Sequence, residues 1–98
     1  MLLADNLFPR QLKNVPAKTL DGETVILKIE DRGCYLLNRN ATYLWQLADG
    51  KHSVKELIDR FTKKYRIKKS LAQKHTKELL CTLGKKGLIR FTEAKKGR

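Results

Sequence analysis

The sequence predicts an α+β domain: three short strands in an antiparallel meander, then three helices packed on one face of the sheet. Three observations predict it. Two turn signals, Asp21-Gly22 and Asp31-Arg32-Gly33, separate short runs rich in apolar residues. From Asn38 onward the apolar spacing changes from alternation to the three-and-four pattern of a helix. Two Ser-x-x-Glu/Gln sets, beginning at Ser53 and Ser70, stand where helices would start. The 98 residues hold one such unit and little more.

Taken in order, residues 1–14 show no clear period and include Pro9; they are expected to form an arm or an irregular first strand. Asp21-Gly22 joins Ala17-Lys18-Thr19-Leu20 to a β-branched run, residues 24–29, in which Val25, Leu27 and Ile29 point to one face. After the second turn comes Cys34-Tyr35-Leu36-Leu37. Alternation sends Tyr35 and Leu37 to one side and Cys34 and Leu36 to the other, so both faces of this strand are apolar. The second face needs cover, which burial within the monomer, the third helix or an incoming ligand would each provide.

Asn38 is a candidate N-cap, with Ala41, Leu44, Trp45 and Ala48 along one helical stripe and Asp49-Gly50 as the stop. Trp45 belongs to that inward stripe and is assigned to the core rather than to an exposed contact site. Ser53-Val54-Lys55-Glu56 is a capping box that opens a second helix, whose stripe is Val54, Leu57, Ile58, Phe61 and Tyr65. Ser70-Leu71-Ala72-Gln73 reads as another, opening a third helix with Ala72, Thr76, Leu79, Leu80 and Leu83 facing inward. Gly84 and Gly87 bracket its end, Leu88-Ile89-Arg90-Phe91 forms a last strand, and residues 92–98 are expected as a basic, flexible tail.

Charge is distributed unevenly. Residues 1–50 carry six basic and six acidic side chains, whereas residues 51–98 carry sixteen basic and four acidic ones, so the formal +12 lies entirely in the second half. Such asymmetry suits an acidic partner or a solvated lysine-rich surface. Cys34 and Cys81 are too few and too far apart for a zinc ribbon or a disulfide framework. The start lacks a signal-peptide core, and no apolar run approaches a membrane span, so the cytoplasm is the expected compartment.

Enzyme chemistry is not indicated. His52 precedes a capping box and His75 lies on the third helix, neither with a His or Cys at metal-ligand spacing. Neither cysteine has a base beside it, and both common phosphate-binding glycine loops are missing. No cofactor is expected. Two binding functions remain. The second and third helices, joined by a short turn, have a helix-turn-helix outline, with Lys68, Lys69, Lys74 and Lys77 placed for phosphates and Gln73 for a base edge. Against a winged-helix DNA-binding regulator, the third helix lacks arginine and asparagine, and one strand alone follows it. The other function is peptide capture by strand addition to a sheet edge.

The ordered set Gly33-Cys34-Tyr35-Leu36-Leu37-Asn38, Ala41, Leu44-Trp45, Asp49-Gly50 and Ser53-Val54-Lys55-Glu56 resembles the PqqD-like family of RiPP recognition elements. Phe61, Tyr65, Leu79, Leu80, Leu83 and Gly87-Leu88-Ile89 continue the likeness, which covers about residues 15–91. The resemblance implies a winged-helix-turn-helix-like domain that binds the leader region of a ribosomally made precursor peptide. The leader would add as a strand beside the third strand and pack on the third helix. The chain, expected to stand alone as a monomer or dimer, would then present the peptide to a separate maturation enzyme, either a leader protease, as in lasso-peptide systems, or a radical-SAM maturase. Carried onto this sequence, the site residues are Cys34, Tyr35, Leu36 and Leu37 on the strand, and Lys74, Glu78, Cys81 and Lys85 along one helix face. One departure is Cys34, where members of the family often carry a larger residue. Leaders are often acidic, which gives the basic second half a steering role.

Overall fold

In a computed structural model, which describes residues 3–13, 15–28 and 32–93, two antiparallel sheets accompany three helices. The strands are β1 (Phe8–Gln11), β2 (Ala17–Leu20), β3 (Glu23–Lys28), β4 (Gly33–Leu37) and β5 (Ile89–Thr92). The helices are α1 (Arg39–Leu47), α2 (Val54–Tyr65) and α3 (Lys69–Lys85). β2, β3 and β4 form the expected meander in that order, and β1 pairs with β5 in a separate sheet. Ile29 and Asp31 of the expected strand and turn, and residues 94–98 of the expected tail, lie outside the described residues, as do Met1, Leu2 and Asn14.

The Asp21-Gly22 turn works because both residues adopt positive φ, 55° and 80°, the geometry a two-residue hairpin requires. Register then places Thr19, Thr24 and Leu37 in one cross-strand row and Ala17, Ile26 and Tyr35 in the next. These rows face the helices: Thr24, Ile26 and Leu37 are buried. A hydroxyl chain fastens the sheet to α1. Thr42 Oγ1 lies 2.9 Å from Thr24 Oγ1 and 3.2 Å from the Leu37 carbonyl, and Thr24 Oγ1 lies 2.8 Å from Thr19 Oγ1.

Asn38 caps α1, its side chain accepting from the Ala41 N–H. Ser53 caps α2 in a complete capping box, with Glu56 accepting from the Ser53 backbone N–H at 2.8 Å. The second expected box does not form. α3 begins two residues earlier, its N-cap is Lys68 instead of Ser70, and no side chain caps it, so Ser70 sits inside the first turn. Packing of the apolar stripe fixes where α3 starts, and local capping chemistry yields to it.

The core joins Leu44 and Trp45 of α1, Val54, Leu57, Ile58 and Phe61 of α2, and Ala72, Leu80 and Leu83 of α3 to Leu88, Ile89, Ile26 and Leu37. Trp45 is core, as its stripe predicts. Leu3 from the N-terminal segment is buried with them. That segment supplies what the sequence seemed to lack, a partner for the last strand: Phe8 pairs with Thr92 and Gln11 with Ile89. Thr92, assigned to the tail, is therefore the last residue of β5. No helix among the described residues is long and apolar enough to cross a membrane.

Candidate functional site

Three properties single out β4. It ends its sheet, so among the described residues no strand pairs with its second edge. Its side chains alternate between burial and exposure: Leu37 is buried and Tyr35 half-buried on the inner face, while Cys34 and Leu36 point outward, Leu36 with 76% of its surface exposed. An edge strand with a protruding leucine is a template for another strand. The inner face leads to α3, where the Lys86 ammonium sits 4.9 Å from the centroid of the Tyr35 ring. Such a cation over an aromatic face is attracted by the ring quadrupole.

Lys86, the residue after α3, marks the flank of that helix turned toward Tyr35. Leu79 and Thr82 stand seven and four residues before it, so the three share one stripe. None was among the expected site residues. The spacing of Lys74, Glu78, Cys81 and Lys85 does put them on one face, but that face lies opposite the buried stripe of Ala72, Thr76, Leu80 and Leu83. Lys74, Glu78 and Lys85 are exposed, and Cys81 is half-buried. Glu78, Cys81 and Lys85 line a shallow groove of about 450 Å³ together with Lys77 and Thr82; Lys74 is not part of its lining. Past Cys81 and Lys85 the surface deepens into an apolar hollow of about 430 Å³, walled by Leu3, Leu7, Gly84, Ile89 and Phe91. Three surface features thus carry the candidate residues: the β4 edge, a polar groove on α3 and an apolar hollow where that helix ends.

The lysines placed for phosphate contact are partly committed elsewhere. Lys77 Nζ lies 2.8 Å from Asp5 Oδ1 and Lys69 Nζ 3.8 Å from Asp59 Oδ1. Lys64 rests over Tyr43 and Tyr65. Among the described residues no group of three or more His, Cys, Asp or Glu side chains is placed to hold a metal ion. Cys34 and Cys81 are both free thiols.

The family model described as coenzyme PQQ synthesis protein D (PqqD) matches residues 23–89, from the start of β3 to the start of β5. The chain belongs to the PqqD family. The matched span contains β4 and all of α3, which carry the expected site residues, whereas β1 and β2 lie before it. The PqqD fold is also seen in a solved structure, that of TbiB1 in complex with the TbiA(beta) leader peptide. The two agree with a TM-score of 0.75 over 83% of this chain and 94% of that one, at 18% sequence identity, a likeness of fold. No curated protein sequence matches this chain.

Proposed function

We propose that this PqqD-family chain binds the leader region of a ribosomally synthesised precursor peptide by strand addition at β4, and presents it to a separate modifying enzyme or leader protease. The observation that carries this is the β4 edge, on which no other strand pairs among the described residues, with Leu36 exposed outward and Tyr35 held under Lys86. TbiB1, similar in fold, is in complex with a leader peptide, which supports the same use of the site here.

An added strand takes its affinity from backbone hydrogen bonds, each worth about 0.5–1.5 kcal/mol net, and from apolar anchors. Cys34 and Leu36 flank the leader on the outer face, and Tyr35 and Leu37 on the inner face. Burying the exposed Leu36 side chain contributes about 1.5–3 kcal/mol at most. On the helix side the leader meets the flank of Thr82 and Lys86 first, with Glu78, Cys81 and Lys85 in the polar groove beyond Thr82 and Lys74 outside that groove, where its charge helps draw in an acidic peptide. No step of this function makes or breaks a covalent bond in the chain; chemistry belongs to the partner, a leader protease or a radical-SAM maturase.

Fluorescence polarisation tests it, with a labelled leader from the precursor gene beside this chain run against random duplex DNA at physiological salt. Saturable binding of the leader, micromolar or tighter, is expected. Leu36→Glu weakens it at least about tenfold, since a charge replaces about 1.5 kcal/mol or more of apolar burial, while the far-UV spectrum stays that of the parent. DNA binding that outlasts leader binding in salt overturns the proposal.

A further inference from the structure

Solvent-facing sides of antiparallel sheets are ordinarily polar. The outer side of β2-β3-β4 is not: Leu20, Val25, Leu27 and Leu36 are 67, 39, 48 and 76% exposed. Register sets Val25 beside Leu36 and Leu27 beside Cys34, so the apolar rows run unbroken from β3 to the free edge of β4. Pro16, Ala17, Lys18 and Leu20 extend them across β2 as a hollow of about 410 Å³ with Val25 and Leu27. Of the covers the sequence left open for this face, burial within the monomer and cover by the third helix are both overturned by this exposure.

We infer that this face docks the enzyme that modifies the bound peptide, and that the leader strand completes the docking surface. The inference rests on leader binding at β4. Three arguments choose the occupant. Three strands of four to six residues offer on the order of 250 Å² of sheet face, against about 800 Å² per partner in a stable interface, so a second copy is not held by this face alone. The face also lies in the electrically neutral first half, its charged neighbours Lys18, Asp21 and Glu23 being of mixed sign, so it suits an uncharged apolar surface rather than an acidic peptide. Finally, a strand added to β4 continues the same face. It widens the sheet by about 4.8 Å, and every second leader side chain joins Leu36 and Cys34.

A small interface is enough for such a partner. The enzyme already grips the core of the same peptide, and tethering raises its local concentration to about the millimolar range. Docking on a surface that includes the leader also makes the two binding events reciprocal: the enzyme tightens leader binding by the factor by which the leader tightens enzyme binding.

The test measures polarisation of the labelled leader on this chain, with and without a saturating amount of the purified peptide-modifying enzyme encoded beside it. Wild type is expected to bind the leader alone and to bind it at least about fivefold more tightly with enzyme present. A Leu20→Lys, Leu27→Glu double variant is expected to keep the leader affinity and the melting curve, because both side chains are already exposed, and to lose the enzyme's effect. An enzyme effect that is absent in wild type, or that survives in the variant, overturns the inference. So does weaker leader binding by the variant alone, which makes the leader the occupant, or a wild-type dimer in sedimentation that the variant loses, which makes it a second copy. Failure of wild type to bind any leader instead overturns leader binding itself, and this inference with it.

Discussion

Asp49 turns the chain between α1 and α2 with a single oxygen. Its Oδ1 accepts from the backbone N–H of Lys51 at 2.8 Å and of His52 at 3.2 Å, and lies 3.0 Å from His52 Nδ1. Partial burial pushes the Asp49 carboxyl up, but the Lys51 N–H and the hydrogen bond and charge of His52 outweigh it and hold the carboxyl below its ordinary 3.8. A carboxyl whose value is lower in the folded state stabilises the fold fully above its unfolded value. That contribution is lost as pH falls through the folded value, when both states bind the proton. Asp49→Asn keeps an acceptor but has no charge to lose. Denaturant titrations are therefore expected to show the gap between wild type and variant at pH 7 narrowing below pH 3.8, and a gap that stays constant contradicts the electrostatic account. Thr76 makes the opposite case. Its Oγ1 is buried with no hydrogen-bond partner, so the side chain gives up water and receives nothing. Thr76→Val, which replaces the hydroxyl by a methyl of similar size, is expected to raise unfolding stability by about 1 kcal/mol, read as a higher denaturation midpoint with unchanged slope.

Elements whose causes are local were legible in the sequence; those fixed by distant packing were not. Asn38 and Ser53 mark the starts of α1 and α2 because each side chain meets a backbone N–H three residues on. Asp21-Gly22 marks the hairpin because those two residues alone set its backbone. Ser70 carries the same local signal and fails, since the inward stripe from Ala72 to Leu83 already places the helix. The partner of β5 was out of reach of any local pattern, because β1 lies some eighty residues away. The site divides in the same manner. Alternation found the outward Leu36, but helical spacing could not say which flank of α3 turns toward β4, and Lys86 over Tyr35 marks it in three dimensions. β1 is also more than a strand. Its Pro9 carbonyl accepts from Gly50, its Gln11 N–H donates to Ala48, and Gln11 Nε2 donates to the Trp45 carbonyl at 2.6 Å, so it ties β5 to the α1–α2 corner. Removing residues 1–11 takes away this ladder and the buried Leu3. Losing one core leucine alone costs about 2–5 kcal/mol. The truncated chain is expected to melt at a markedly lower temperature than the full chain in calorimetry; an unchanged melting temperature shows that the segment is dispensable.

Across the whole molecule, charge and apolar recognition are separated in the chain. The +12 comes from residues 51–98, while β4 and the outer sheet face belong to the neutral half. Exposed charges act through solvent over about a Debye length, roughly 10 Å at 0.1 M salt, whereas buried apolar contact is almost indifferent to salt. The two halves should therefore control different rate constants. Raising salt from about 0.05 M to about 0.5 M screens the lysines and is expected to slow leader association by about tenfold while leaving dissociation nearly unchanged. Leu36→Glu is expected to do the reverse, speeding dissociation with little effect on association, because contact at the β4 edge forms after encounter. Stopped-flow mixing of labelled leader resolves both. If instead salt accelerates dissociation as strongly as it slows association, the lysines hold the ligand in the complex. That pattern, with an affinity that falls steeply and linearly on a logarithmic salt scale, is the signature of phosphate contacts and counterion release, and it would move the binding site from β4 to the basic faces of α2 and α3.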